Sequence, residues 1–120
     1  MQFLCLVHVD EADFVHFTPA DDAALINSTL DYDDELRRRG HFVFASPIEP
    51  VEKGVTVRVR NGRLSKTDGP FAETKEHLGG FLVIEAKDLE EAASLMANDP
   101  MAAHATIEIH ALRPLERVPV

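Results

Sequence analysis

The stretch FLVIEAKDLEEAASLM, residues 81–96, joins an apolar strand to a capped helix and is the clearest guide to the fold. Residues 81–86 are apolar on both alternating faces, which predicts a central strand covered on both sides. Asp88 is a good N-cap residue, and Glu91 follows in the capping-box position. The apolar positions after it recur at helical spacing and are Leu89, Ala92, Ala93 and Met96. We therefore expect a buried strand followed by an amphipathic helix.

The beginning of the chain repeats this order. Residues 2–9 are again apolar on both faces, with Phe3, Cys5 and Val7 on one face and Leu4 and Leu6 on the other. Thr18 and Pro19 then form a helix start, and Gly40 ends a helix that can run to Arg39. Residues 42–45 are expected to form the next strand. The beginning of the chain is thus also expected to form a strand followed by a helix.

A hairpin is predicted between these two units. Val55, Val57 and Val59 alternate with polar residues, which indicates a strand with one wet face. Asn61-Gly62 follows, the strongest short hairpin signal, and residues 64–67 form the returning strand. The last strand covers residues 105–112, after Asp99-Pro100 has ended the second helix.

Without the hairpin, the order is β-α-β-β-α-β, which is the arrangement of ferredoxin-like α+β folds. In that arrangement the first and third core strands lie in the middle of the sheet, and here those two strands are apolar on both faces. Two helices cover only one side of such a sheet. We expect the other side to be covered by a second copy of the chain, which gives a homodimer. The whole chain, residues 1–120, is expected to form one domain.

Charge and composition exclude several classes of partner. The formal net charge of -9 disfavours direct binding of nucleic acid or of anionic membrane surfaces. Cys5 is the only cysteine, so no intrachain disulfide can form. No apolar run reaches the roughly 20 residues that span a bilayer, and the start of the chain does not resemble a signal peptide. These features predict a cytoplasmic protein.

The loop TDGPFAETKE, residues 67–76, places several functional groups around a tight turn. Gly69-Pro70 fixes the bend, and Asp68 either caps backbone N–H groups or faces a cavity as a catalytic carboxylate. Phe71 is either a core residue or a contact for a substrate. Lys75 is a candidate for binding a substrate, with a solvated side chain as the alternative.

A second group of candidates lies on the strands and on the first helix. His8 on the first strand can meet Glu108 and His110 on the last strand, because these strands are expected to be antiparallel neighbours. His8 is a candidate acid or base beside Asp68, and Glu108 is a candidate substrate-binding residue. A metal trio is disfavoured, because no ligand-spacing motif supports it. We expect no metal and no cofactor.

Asp33 lies on the apolar face of the first helix, beside Ile26, Thr29, Leu30 and Leu36. A carboxylate in that position must find a hydrogen-bond donor, have a raised pKa or sit at the mouth of a cavity. We favour a structural hydrogen bond and keep substrate binding as the alternative.

The sequences VRVRNGR (57–63), TDGPFAETKE (67–76) and LGGF (78–81) closely resemble DGPF proteins of the YCII-related family. The likeness continues through the strand at 81–86, the helix at 88–96 and the closing strand. It implies a ferredoxin-like, dimeric α/β-barrel fold and an enzyme activity around a His-Asp pair. That family has its candidate His in the first helix, whereas residues 19–39 contain none and His16 precedes them.

Two functions stay open at this point. The first is a small-molecule binder or cofactor-independent enzyme, with acid-base residues in a pocket at the interface between the sheet and the dimer partner. The second is a non-enzymatic accessory or regulatory module that acts through protein contacts. The family resemblance implies, for this second function, a link to transcription by sigma factors. The sequence does not decide whether the protein is an enzyme.

Overall fold

The computed structural model describes residues 1–120 as a mixed α+β fold of two helices and two antiparallel sheets. The strands are β1 (Gln2–Val9), β2 (Phe42–Pro47), β3 (Val55–Arg60), β4 (Arg63–Asp68), β5 (His77–Glu85) and β6 (Thr106–Ala111). The helices are α1 (Pro19–Arg38) and α2 (Leu89–Ala97).

The main sheet has the strand order β2-β5-β1-β6. Its two central strands, β1 and β5, pair antiparallel with Leu4 opposite Val83 and Leu6 opposite Phe81. These are the two strands whose sequences are apolar on both faces, so the predicted order of the sheet is confirmed. The ferredoxin-like arrangement with an inserted hairpin is confirmed with it.

Both helices pack on one face of this sheet. The core lies between them and the sheet, and its fully buried members include Phe3, Cys5, Leu36, Ile84 and Met96. The Tyr32 hydroxyl of α1 donates a hydrogen bond of 2.5 Å to the carbonyl of Leu95 in α2. This buried bond ties the two helices together over the core.

The helix starts follow the predicted chemistry. Thr18 and Asp21 form a reciprocal capping box at the start of α1, with N···O distances of 2.9 and 3.1 Å. Asp88 caps α2 by accepting a hydrogen bond from the Glu91 N–H at 2.8 Å. The Glu91 side chain accepts from the N–H of Lys87 and not from that of Asp88, so the second box is only half formed.

Burial on the helices departs from prediction in two places. Ile26 and Leu30 were expected against the sheet, but they are 59% and 55% exposed, because the middle of α1 passes over an open pocket. On α2, Leu95 is buried in place of Ala93, and Leu89 is exposed. The buried face of this short helix is therefore the i, i+3, i+4 set Ala92, Leu95 and Met96.

The second sheet is the hairpin β3-β4, which we call the arm (residues 55–68). Asn61 and Gly62 both have positive φ, as the predicted tight turn requires. Within one protomer both faces of β3 are exposed, its valines included, so the expected burial of one face is not provided by the chain itself. The arm gives the protein an extended shape, with principal dimensions of 49 × 39 × 19 Å.

No helix of the protein is both long enough and apolar enough to cross a bilayer.

Candidate functional site

A pocket of about 320 Å³ lies between the middle of α1 and the ends of β1, β2 and β5. Its walls are mainly apolar and include Val7, Val9, Leu25, Ile26, Leu30 and Met101. Ser46, Gly79 and Gly80 also line the pocket. The polar side chains in the lining are few, as in most small-molecule sites.

Two glycines of β5 allow the neighbouring strands β1 and β2 to approach closely beside the pocket. β1 and β5 have an irregularity at Val7 and His8, so that Gly79 is left unpaired between Leu78 and Gly80. A Cβ on Gly79 would lie 2.7 Å from Cγ2 of Val9, and one on Gly80 would lie 2.9 Å from the carbonyl oxygen of Ser46. Gly79 thus lies at a bulge and Gly80 at a close approach of two backbones, which are both typical positions for glycine within a strand.

Asp33 is the ionisable group of α1 that reaches this pocket. Its Oδ1 atom is buried and has no hydrogen-bond partner, so the favoured structural hydrogen bond is not formed. Burial raises the pKa of Asp33 to about 6, and the nearby charge of Asp99 adds to the increase. Asp33 therefore combines two of the properties expected of a carboxylate on an apolar face, a raised pKa and a place in a cavity wall.

Asp99 is the second carboxylate in the lining. It is 3% exposed, and its Oδ1 accepts a hydrogen bond of 2.9 Å from the backbone N–H of Met101. Burial raises the pKa of Asp99, while the hydrogen bond from Met101 opposes the increase. Because burial and the charge of Asp99 both disfavour ionisation of Asp33, Asp33 is suited to proton transfer with a bound molecule.

The sequence analysis did not find Asp99. Asp99-Pro100 was interpreted only as a helix end, and Asp99 does start a short helical turn at residues 100–103. One signal in the sequence was its position, because Asp99 lies three residues after Met96, the last buried residue of α2, where the chain turns back toward the sheet.

Thr29 also lines the pocket, one turn before Asp33, and its hydroxyl donates to the carbonyl of Leu25.

His8, Glu108 and His110 meet on the face of the sheet that no helix covers, which we call the open face. Oε1 of Glu108 lies 2.8 Å from Nε2 of His8, and its Oε2 lies 2.7 Å from Nε2 of His110. These two hydrogen bonds lower the pKa of Glu108, with His110 making the larger contribution. The predicted meeting of the three residues is confirmed, and no group of three or more His, Cys, Asp or Glu side chains is arranged to hold a metal ion.

The residues of the DGPF loop lie apart from the pocket lining. Asp68 ends β4, where it is exposed and pairs across the arm with Val55. Phe71 is also exposed, and the Arg58 guanidinium stacks 4.9 Å from the centre of its ring. Nζ of Lys75 lies 3.6 Å from Oδ2 of Asp10, just beyond the end of β1.

One protomer therefore separates the six predicted site residues into four places. Asp33 lies in the pocket, and His8 and Glu108 lie on the open face. Asp68 ends the arm, with Phe71 just beyond it against Arg58, and Lys75 lies near Asp10 beyond the end of β1. No hydrogen bond or ion pair connects Asp68 with His8. The pocket itself is on the helix side of the sheet and not on the open face, where the sequence analysis had placed it.

Comparisons with known proteins agree with this fold. Residues 1–116 match the model of the YCII-related domain. The chain is 39% identical over 66 residues to an uncharacterized protein of Rhizobium meliloti (strain 1021), and the match spans about half of that protein, 52% of its length. It is similar in structure to 5-chloro-2-hydroxyhydroquinone dehydrochlorinase from Burkholderia phenoliruptrix AC1100, solved with 2,5-dihydroxybenzoquinone. That likeness has a TM-score of 0.50 and 19% identity, and covers 94% of each chain.

The family match confirms the resemblance drawn from the DGPF loop and the flanking strands, and it extends over almost every residue of the fold. The chain belongs to the YCII-related family.

Proposed function

We propose that the protein binds a small, ring-sized and largely apolar molecule in the pocket between α1 and the sheet, and that Asp33 acts on this molecule as an acid-base group. The observation that carries the proposal is the buried, unpartnered Oδ1 of Asp33 in a mainly apolar wall. A group with a pKa of about 6 exchanges its proton readily near neutral pH.

The contrast between the two carboxylates supports this role of Asp33. Its Oδ1 is held by the Met101 N–H, so its orientation is fixed, whereas Oδ1 of Asp33 is free to bond with a ligand. A hydroxyl or an acidic C–H of a bound ring would lose its proton to the Asp33 carboxylate. The same carboxyl would return the proton to another atom of the ring, and no cofactor is needed for this exchange.

The test uses 2,5-dihydroxybenzoquinone and related hydroxylated rings as probes, because the similar dehydrochlorinase was solved with that compound. Binding is measured by calorimetry, and exchange of ring hydrogen for deuterium is followed by NMR. We expect the protein to accelerate exchange, and Asp33→Asn to bind the probe but lose about 10²-fold or more of the acceleration. Asp31→Asn, an exposed change on the same helix, is the matched control.

The same experiment also tests the alternative location of the catalytic site. His8, oriented by Glu108 at 2.8 Å on the open face, is the alternative acid or base, and Asp68 would join it only from a second protomer. Loss of exchange in His8→Ala together with normal exchange in Asp33→Asn would move the site to the open face. If neither binding nor exchange occurs with any probe, an accessory module acting through protein contacts becomes the better proposal.

A further inference from the structure

One face of the arm is an exposed apolar stripe. The cross-strand register puts Val55, Val57, Val59 and Leu64 on the same face, and each of them is more than half exposed. A two-stranded hairpin with no core of its own is marginally stable in water. A contiguous apolar stripe on such a hairpin therefore marks a surface that is covered by another element.

The arm is also the most cationic part of an acidic chain. Arg58, Arg60, Arg63 and Lys66 lie on it, against the single carboxylate of Asp68, whereas the whole chain has a net charge of -9. None of these four cations is in a salt bridge within the protomer. Arg58 stacks on Phe71, and the other three cations are free to pair with carboxylates of another molecule.

The first helix has the complementary surface. Ile26 and Leu30 form an exposed apolar pair at the mouth of the pocket. The same helix carries an excess of acidic residues, Asp21, Asp22, Asp31, Asp33, Asp34 and Glu35, against Arg37 and Arg38. Each surface thus has apolar residues at its centre, and the two elements have opposite net charges, cationic for the arm and acidic for α1. On the arm, Lys66 and Asp68 lie on the face of the valines, whereas the arginines lie on the other face of the hairpin.

We infer that the arm of one protomer docks on α1 of a second copy of this chain and closes the mouth of that copy's pocket. The arrangement is reciprocal, because a two-fold axis lets each arm cover the other protomer's Ile26 and Leu30. The radius of gyration of 17.0 Å fits this inference, since a compact domain of this length has about 14 Å. The inference concerns the pocket of the proposed function, but docking needs no ligand and is tested without one.

The test is a disulfide between the two surfaces. Cys5 is buried and burial raises the pKa of its thiol to about 12, so it does not compete with introduced cysteines. The double variant Val57→Cys/Ile26→Cys is oxidised without ligand, separated on a non-reducing gel and digested for mass spectrometry. We expect a covalent dimer in which the peptide containing residue 57 is linked to the peptide containing residue 26.

The control is Ser65→Cys/Ile26→Cys, because Ser65 pairs with Arg58 on the opposite face of the arm. It should give less than about a tenth of the cross-linked dimer. A 26–57 link within monomers would show that the arm folds over its own pocket and would overturn the inference, as would equal yields from the two variants or no link at all. A correct link in this variant, combined with no ring exchange in the unchanged protein, would count against the proposed function alone.

Discussion

Asp33 illustrates how one carboxylate in an apolar wall changes the chemistry of a surface. A helical wheel places it among apolar residues, and the structure leaves its Oδ1 without a donor and raises its pKa to about 6. Asp99 could not be found in the same way, because its bond to the Met101 N–H is a sufficient local reason for an Asp before Pro. Only the tertiary packing of α1 over the sheet brings the two carboxylates into one pocket.

The raised pKa of Asp33 makes stability depend on pH. Because the folded pKa is about 6 and the usual value is 3.8, the folded state binds more protons between these values, and stability falls as pH rises through this window. Solvent screening reduces the effect to on the order of 1 kcal/mol. We expect Asp33→Asn to be more stable than the unchanged protein at pH 7.5 but equally stable at pH 3.5, as measured by urea unfolding.

The control for this measurement is again Asp31→Asn, which changes an exposed carboxylate of the same helix. If Asp33→Asn alters stability equally at both pH values, the charge of Asp33 is not the cause, and the side chain's packing is.

Among the strands and helices, β5 is the one whose extent the sequence predicted least completely. The pattern predicted a strand from residue 81, but the strand begins at His77, because two glycines in succession resemble a loop. Both glycines are instead required by neighbours that the sequence does not place beside them, Val9 on one side and Ser46 on the other. The apolar periodicity of the other strands and helices was sufficient to locate them to within one or two residues.

The two glycines should differ in their tolerance of a methyl group. In Gly80→Ala the new Cβ meets backbone, 2.9 Å from the Ser46 oxygen and 3.0 Å from Cα of Pro47, so β2 must move. In Gly79→Ala the clash is with a methyl group of Val9, which can rotate. We expect Gly80→Ala to lose about 1 to 3 kcal/mol and Gly79→Ala to lose less, as measured by chemical unfolding. The reverse order would mean that β2 yields more easily than the Val9 side chain.

At the scale of the whole molecule, a single protomer leaves much apolar surface exposed. Only 14 of its 120 residues are buried, and the open face carries Leu4, Leu6, Phe44, Phe81 and Val83 beside the hydrogen-bonded Glu108. Two apolar faces on the central strands were enough to predict the sheet order and a dimer through this face. The apolar pattern of α1 could not locate the pocket. The residues at the pocket mouth, Ile26 and Leu30, are apolar and helically spaced, as residues buried against a sheet would be.

Phe44→Asp tests the dimer through the open face. Phe44 is 55% exposed and its ring lies 5.9 Å from that of Phe81, so the protomer should fold, while a charge in the interface opposes association. We expect the dissociation constant of the dimer to rise about tenfold or more in sedimentation equilibrium. Leu89→Asp, at a site 54% exposed on α2, is the matched control and should leave the dimer unchanged. An unaltered dimer in Phe44→Asp would place the interface elsewhere.

The position of β1 between β5 and β6 has a consequence for how the chain is made. His8 and Glu108 are hydrogen-bonded across neighbouring strands but are separated by 100 residues in the chain. During synthesis the first strand has neither of its partner strands until residues 77–85 have left the ribosome, and it has only one of them until residues 106–111 follow. Its contacts are among the most non-local of the fold, and the entropy of closing these long loops must be lost before the contacts stabilise the sheet. We therefore expect the apolar residues of β1 to stay accessible to chaperones and proteases until both partner strands have been made.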